Sequence, residues 1–276
     1  MERYKEIERS IIKKFRKSIW NNFCGAVNEY NLIESGDKIA VCISGGKDSM
    51  IMAKCMQELH RHSEVPFELE FLVMDPGYNE ENRKLIEFNA QLMNIPIKVF
   101  DSNIFDVAYN AGGSPCYLCA RMRRGFLYAK AKELGCNKIA LGHHFDDMIE
   151  TLLLNMTYAS EIKTMLPKLK STNFEGMELI RPLYKVKEKD IIAWAGYNEL
   201  RFLQCACKFT AESAYHEDMS KRKEIKSLIE EIKKTNPAAP DNLFRSIHNV
   251  NLASIVGWRD SDSGDKHSYL ENYEKD

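Results

Sequence analysis

The run Lys38-Ile-Ala-Val-Cys-Ile-Ser44 constrains this chain most. It is apolar without alternation, the pattern of a strand covered on both faces. It breaks into Gly45-Gly46, and helix periodicity follows through Met52, Cys55, Met56 and Leu59. The same rhythm recurs. Strands are expected at 67–75, 95–100 and 137–144, and helices at 80–93, 116–135 and 145–158. Such alternation predicts an α/β fold built on an open, mostly parallel sheet with flanking helices. Sheets of this kind bind ligands at the carboxyl ends of their strands. Residues 44–49, 74–75 and 142–147 should therefore border one crevice.

The flanks read differently. Ile7, Ile11, Phe15, Ile19 and Phe23 recur every four residues, which predicts an amphipathic helix over 5–30. Beyond residue 159 the spacing gives a loop with a short strand, a helix from Glu188 and a charged helix over 212–235. A shorter helix is expected within 239–256. The expected organisation is an N-terminal helical extension (1–35), a nucleotide-binding catalytic domain (36–210), a C-terminal helical region (211–259) and a disordered acidic tail (260–276). No run approaches the roughly 18 apolar residues of a membrane span, and the charged N-terminus lacks a secretory apolar region. We expect a cytoplasmic protein with no membrane partner. The formal net charge of −1 excludes a global basic field. Residues 1–20 nevertheless hold seven basic and three acidic side chains, so a local RNA-binding patch stays open.

Four groups of residues point to chemistry. Ser44, Gly45, Gly46, Lys47, Asp48 and Ser49 follow a strand and open a helix. Glycines permit close backbone approach, and amides at a helix start receive anions. This is not a Walker loop, because Asp48 follows Lys47. An acid would repel phosphate unless a metal lies between, so the loop implies Mg²⁺. Gly142, His143, His144, Phe145, Asp146 and Asp147 end another strand. Two acids there satisfy a helix dipole, or complete an ATP site facing the first loop. Arg121, Arg123, Arg124, Lys130 and Lys132 stand on one helix, as a solvated face or as phosphate ligands.

The fourth group is cysteine. Eight occur in the chain, and Cys42, Cys55 and Cys136 read as buried packing thiols. Cys24 stands alone. Cys116 and Cys119 pair as C-x-x-C, and Cys205 and Cys207 as C-x-C. Four thiolates suit zinc, three with an open position suit an iron–sulfur cluster, and the C-x-x-C alone suits redox catalysis.

The stretches "NLIESGDKIAVCISGGKDS", "CYLCARMRRGFLYAKAKELGCNKIALGHHFDDMIETLLLNM", "IRPLYKVKEKDI" and "NLFRSIHNV" resemble the tRNA-cytidine 2-sulfurtransferases, a branch of the PP-loop ATPases, over about residues 10–255. The resemblance implies a HUP-type α/β domain. It implies that ATP adenylates the C2 oxygen of an anticodon-loop cytidine, position 32 in the family, and that sulfur then replaces it to give 2-thiocytidine. It also implies a [4Fe-4S] cluster on Cys116, Cys119 and Cys205. The family pattern at the later site is P-C-x-x-C, so Cys207 is the alternative third ligand. Ser44 to Ser49, Met74, Gly142 and His143 fall at ATP-binding positions. Lys47, Asp48, Arg123 and Asp147 fall at catalytic ones, with Asp48 and Asp147 also holding Mg²⁺. The implied partners are tRNA, a sulfur donor such as a cysteine desulfurase or inorganic sulfide, and a second copy of the chain.

Two other readings fit the loops. One is a PP-loop sulfurtransferase or amidating enzyme acting on another tRNA base or a small metabolite. The other is an RNA-binding module stabilised by zinc or a cluster, against which the acids in the phosphate cradle argue.

Overall fold

A computed structural model of the chain describes residues 2–102, 104, 115–203, 213–260 and 263–273, with the side chains of 115–120, 213–220 and 272 outside that description. The expected pair Cys205 and Cys207 lies outside the described residues. Cys116 and Cys119 are described only as part of a helix.

The first strand, β1 (Lys38–Ile43), is central. It pairs in parallel with β2 (Glu68–Asp75) on one side and β4 (Lys138–Ala140) on the other. β3 (Ile97–Asp101) extends the sheet beyond β2. Beyond β4 lie β6 (Glu178–Ile180), parallel, and β5 (Lys168–Lys170), antiparallel to β6. The order among the described residues is β3-β2-β1-β4-β6-β5. The chain runs outward from β1 to β3, then crosses back to β4 on the opposite flank. The carboxyl ends of β1 and β4 therefore flank the switch point, where an open α/β sheet forms its crevice.

Alternation along β1 explains its apolar run. Ile39, Val41 and Ile43 belong to one core, with Met52, Met56 and the N-terminal helices. Ala40 and Cys42 face the other, with Tyr128 and Ala131 of α5 (Pro115–Glu133). A strand buried on both faces cannot afford a polar side chain on either. Each fully buried Ile contributes about 1.5–3 kcal/mol.

The N-terminal segment departs from one continuous helix. It runs as α1 (Arg3–Arg9), two wide π turns (Ser10–Lys14 and Arg16–Trp20) and α2 (Asn21–Glu29). The physical reason lies in its spacing. A strict period of four exceeds the 3.6 residues of an α turn, so its apolar stripe would drift around the helix. Bonds from Phe15 N–H to Ser10 O (2.9 Å) and from Trp20 N–H to Phe15 O (3.3 Å) close five-residue turns and cancel the drift. Ile7, Ile11, Phe15, Ile19 and Phe23 are all buried as a result.

Other boundaries differ too. β4 ends at Ala140 rather than at 144, because after Leu141, whose N–H still donates to Ile180 O (3.0 Å), the chain leaves the sheet to form the loop described below. The helix expected within 239–256 stops as α9 (Ala239–Ser246). There the Asn251 side chain accepts from Ala253 N–H (3.1 Å) and starts a separate turn. Compactness divides the chain at Leu228/Ile229. In the second unit, residues expected to be disordered include β8 (Lys266–Ser268), paired with β7 (Gly257–Arg259). Asp260 accepts from Ser263 N–H (3.1 Å), and Gly264 takes φ +76°, which closes the connecting turn. Among the described residues, no helix is long and apolar enough to cross a membrane.

Candidate active site

The loop after β1 is tied to itself. Ser44 N–H donates to Ser49 Oγ (3.1 Å), and Ser49 Oγ donates to Gly46 O (2.9 Å). Gly45 has φ +84°, and a Cβ there would stand 2.6 Å from Ile86 and 2.8 Å from Leu203. Only glycine fits such a turn. Gly46 then caps α3 (Lys47–His62) with extended backbone, leaving the first amides of the helix unbonded within it. A helix start of this kind is suited to receive an anion.

The loop after β4 is pressed onto this helix start. A Cβ on Gly142 would lie 3.0 Å from Ser49 N and 3.1 Å from Asp48 C. Glycine is thus what lets the two strand-end loops touch. His144 precedes α6 (Phe145–Tyr158), and its N–H donates to Asp147 Oδ2 (3.0 Å). Its imidazole Nε2 sits 3.8 Å from Asp48 Oδ1. Asp146 Oδ2 accepts from Glu188 N–H (2.6 Å), the first residue of α7 (Glu188–Tyr197).

The other expected residues reach the same edge less directly. Met74 is the penultimate residue of β2, buried against Tyr78, Met122 and Phe126. In the turn that follows, Asp75 Oδ1 accepts from Gly77 N–H (2.8 Å) and Tyr78 N–H (2.7 Å). The Tyr78 hydroxyl reaches Ser44 O at 3.5 Å, so the loop after β2 borders the loop after β1. Arg123 lies half-buried on α5, with no ion pair among the described residues. Cys24, Cys42, Cys55 and Cys136 are free thiols. Burial pushes Cys42 up to about 12 and Cys24 and Cys136 up to about 11, and raises Cys55 as well. All four are poor metal ligands, since a ligand must be the thiolate.

Electrostatics set this crevice apart. Asp48 Oδ1, His143 Nδ1 and His144 Nδ1 are buried without a hydrogen-bond partner. Burial raises the Asp48 carboxyl above its ordinary value despite His144 and Lys47, and Asp147 adds to the rise. Burial also holds the His143 imidazole neutral, pushed down to about 4. An orphaned buried carboxylate oxygen is costly in a folded chain. A divalent cation would satisfy it, so the donors present fit Mg²⁺ together with phosphate oxygens.

Sequence reasoning missed Glu150, Glu188, Arg222 and Lys226, which join the expected residues here. Lys47 Nζ donates to Asp48 Oδ2 (3.2 Å) and to Glu188 Oε1 (2.9 Å). Lys226 Nζ, on α8 (Ser213–Thr235), donates to Glu188 Oε2 (3.2 Å) and lies 3.5 Å from Glu150 Oε1. Arg222 Nε is 3.5 Å from Glu150 Oε2, and its Nη1 is 3.8 Å from Asp147 Oδ1. Although burial works against it, Lys47 holds the Glu188 carboxyl well below the usual range, at about 2. These cations are therefore engaged with carboxylates of the crevice. Lys47 is expected from its loop; for Arg222 and Lys226 the sequence signal is only helical spacing, which any solvated face shares.

Residues 9–212 match the PP-loop domain family. A tRNA-cytidine(32) 2-sulfurtransferase of Geobacter metallireducens is 36% identical over 241 residues, covering 86% of this chain and 91% of the relative. One of Vibrio campbellii is 35% identical over 249 residues, covering 88% and 80%. This chain belongs to the PP-loop proteins of the tRNA-cytidine(32) 2-sulfurtransferase family. Members of that family are sulfur-transferring enzymes by name, and the HUP-type α/β fold expected from the sequence is the one found. A further likeness concerns the fold alone. The U34-tRNA thiolase NcsA from Methanococcus maripaludis, solved with its [4Fe-4S] cluster, aligns at 21% identity with a TM-score of 0.66, covering 88% of this chain and 81% of that one. The two strand-end loops meet at one crevice, with the Gly46 cap at one end and the Asp48 and Asp147 carboxylates along it.

Proposed function

We propose that this chain thiolates tRNA: it uses ATP to adenylate the C2 oxygen of an anticodon-loop cytidine, position 32, and replaces that oxygen with sulfur. One observation carries the chemistry. The orphaned Asp48 oxygen sits at the start of α3, beside the glycine turn and the loop after β4, in a chain whose relatives are named for sulfur transfer to cytidine 32. A cradle with an acid at its centre suits a metal-bound pyrophosphate leaving group. The cytidine C2 oxygen attacks the α-phosphorus, the α–β bridge breaks, and pyrophosphate leaves into the loop of Ser44, Gly45, Gly46, Lys47 and Ser49. Backbone amides and Lys47 hold its charge as it develops. Met74, Gly142 and His143 border the nucleotide, and Arg123 steadies the phosphate under attack. Sulfide-level sulfur then attacks C2, the bond from C2 to the adenylated oxygen breaks, and AMP departs carrying that oxygen; sulfur delivered as a persulfide needs a two-electron reductant first.

Asp48 and Asp147 would hold Mg²⁺, which when bound neutralises phosphate charge. Cys116, Cys119 and Cys205, or Cys207 in its place, would hold a [4Fe-4S] cluster, which when bound supplies a site for the incoming sulfur. The other four cysteines are poor ligands, which supports this assignment. The substrate base must leave its stack, which a single-stranded loop permits at modest cost. Exposed Arg9, Lys13, Lys14, Arg16 and Lys17 suit the tRNA backbone. A cytoplasmic homodimer supplied by a cysteine desulfurase or inorganic sulfide completes the reading.

Purified protein with tRNA, ATP, Mg²⁺ and sulfide should release AMP and yield 2-thiocytidine in digested tRNA, read by mass spectrometry. A Cys116→Ala variant should yield none. AMP release that ignores tRNA, or thiolation that survives Cys116→Ala, overturns the reading or its cluster respectively.

A further inference from the structure

One stretch of the family resemblance, "IRPLYKVKEKDI", has no role in the mechanism above. The fold brings its Glu188 to the phosphate loop. We propose that Glu188 is a positioning residue: its carboxylate bridges Lys47 and Lys226 and sets the direction in which the Lys47 ammonium meets the ATP phosphates. This rests on the reading of Lys47 as a phosphate ligand.

The bridge is built from three sides. The Glu188 N–H is pinned by Asp146 Oδ2 at 2.6 Å, so the start of α7 is fixed to the loop after β4. Its Oε1 takes Lys47 Nζ at 2.9 Å, and its Oε2 takes Lys226 Nζ at 3.2 Å. Each oxygen serves a different element, one on α3 and one on α8. The Lys47 and Glu188 side chains are 26% and 25% exposed, so the pair is not a surface contact screened by water.

The ammonium is shared with Asp48 Oδ2 at 3.2 Å. A cation bound by Asp48 would compete for that carboxylate. Glu188 is then the anchor left to Lys47 among the partners described. A lysine on four rotatable bonds is a loosely directed charge unless something fixes it. Fixing it in advance removes an ordering cost from ligand binding.

The sign of the effect separates this role from mere proximity. A carboxylate near a triphosphate repels it. If Glu188 acted only by its own charge, neutralising it would tighten ATP binding. If it acts through Lys47, neutralising it weakens binding, and only while Lys47 is present.

The test is a double-mutant cycle in Mg-ATP affinity, read by calorimetry on the full chain. Glu188→Gln should weaken binding about tenfold in the wild-type background. In a Lys47→Met background the same change should leave affinity unchanged or tighten it. Lys226→Met, which frees only the far oxygen, should weaken binding about two- to threefold, and not at all beside Glu188→Gln. It also carries the test should Glu188→Gln fail to fold. Affinity in Glu188→Gln equal to or above wild type overturns the proposal, as does an equal loss in both backgrounds. AMP release with tRNA is measured in parallel. Wild-type protein that binds Mg-ATP yet releases no AMP defeats the thiolation reading, while the cycle still decides Glu188. Wild-type protein that binds no Mg-ATP defeats both.

Discussion

The two ends of β4 carry buried charge in opposite conditions. At the foot, Lys138 is 1% exposed and fully provided for. Asp37 Oδ2 lies 2.7 Å from its ammonium, Leu32 O accepts at 3.2 Å, and Glu34 and Glu178 stand at 3.4 Å. These partners outweigh burial and raise the ammonium above its ordinary value. At the top, a few residues on, Asp48, His143 and His144 keep buried atoms without partners. Burial there works against the charged forms of Asp48 and His143. A charge that is buried and satisfied belongs to the fold. A polar group that is buried and unsatisfied is held ready for something else.

Four substitutions would break or sharpen this contrast. The largest effect is expected at the foot. Lys138→Met leaves Asp37 buried without its cation and should cost about 3–5 kcal/mol of stability. The urea midpoint should fall, while the protein that remains folded binds Mg-ATP as before. A loss of affinity without a loss of stability would reverse the assignment of the two ends. Next comes Asp48→Asn at the top. It should lower the rate of AMP formation about 10²–10³-fold and leave the thermal midpoint level or higher, because it neutralises a carboxyl that burial disfavours and whose Oδ1 has no hydrogen-bond partner. A lowered midpoint would show that Asp48 is structural.

Gly142→Ala is expected to matter at both levels. Its Cβ would press on the backbone of Asp48 and Ser49, at a cost of about 1–3 kcal/mol. ATP affinity should fall with it, since the phosphate loop is what must move. Unchanged affinity would mean that the two loops shift independently. The smallest effect is a pH slope. The His143 imidazole titrates near 4 in the folded chain and near the ordinary 6.5 when unfolded. Between those values the unfolded chain binds the extra proton, so stability should fall as pH drops from about 6.5 towards 4. His143→Asn should flatten that limb of a plot of thermal midpoint against pH. A slope unchanged by the substitution would move its source elsewhere.

Much of this was legible in order along the chain. Apolar runs marked β1 and β2, and the glycine and acid clusters marked the two loops, because each is a local pattern of a few residues. What escaped was either relational or concealed by local competition. Glu188 lies 141 residues from Lys47, and nothing in either neighbourhood advertises the other. Arg222 and Lys226 wear the spacing of an ordinary solvated helix, yet face Asp147, Glu150 and Glu188. The short antiparallel edge of β5 and β6 carries too few residues for alternation to show. Gly142 reads as one more turn glycine until another backbone is seen beside it.

The wide turns near the N-terminus imply an unusual kind of fragility. An α-helix rotates about 100° per residue. Removing one residue between 10 and 20 would turn everything before the cut by roughly that angle against everything after it. Ile7 and Ile11 could then no longer share a side with Ile19 and Phe23. Exchanging an exposed Lys for Gln in the same stretch would leave the packing untouched. The packing of this segment is thus tolerant of what its outward letters are and strict about how many there are, so length is the quantity that the fold itself requires it to conserve.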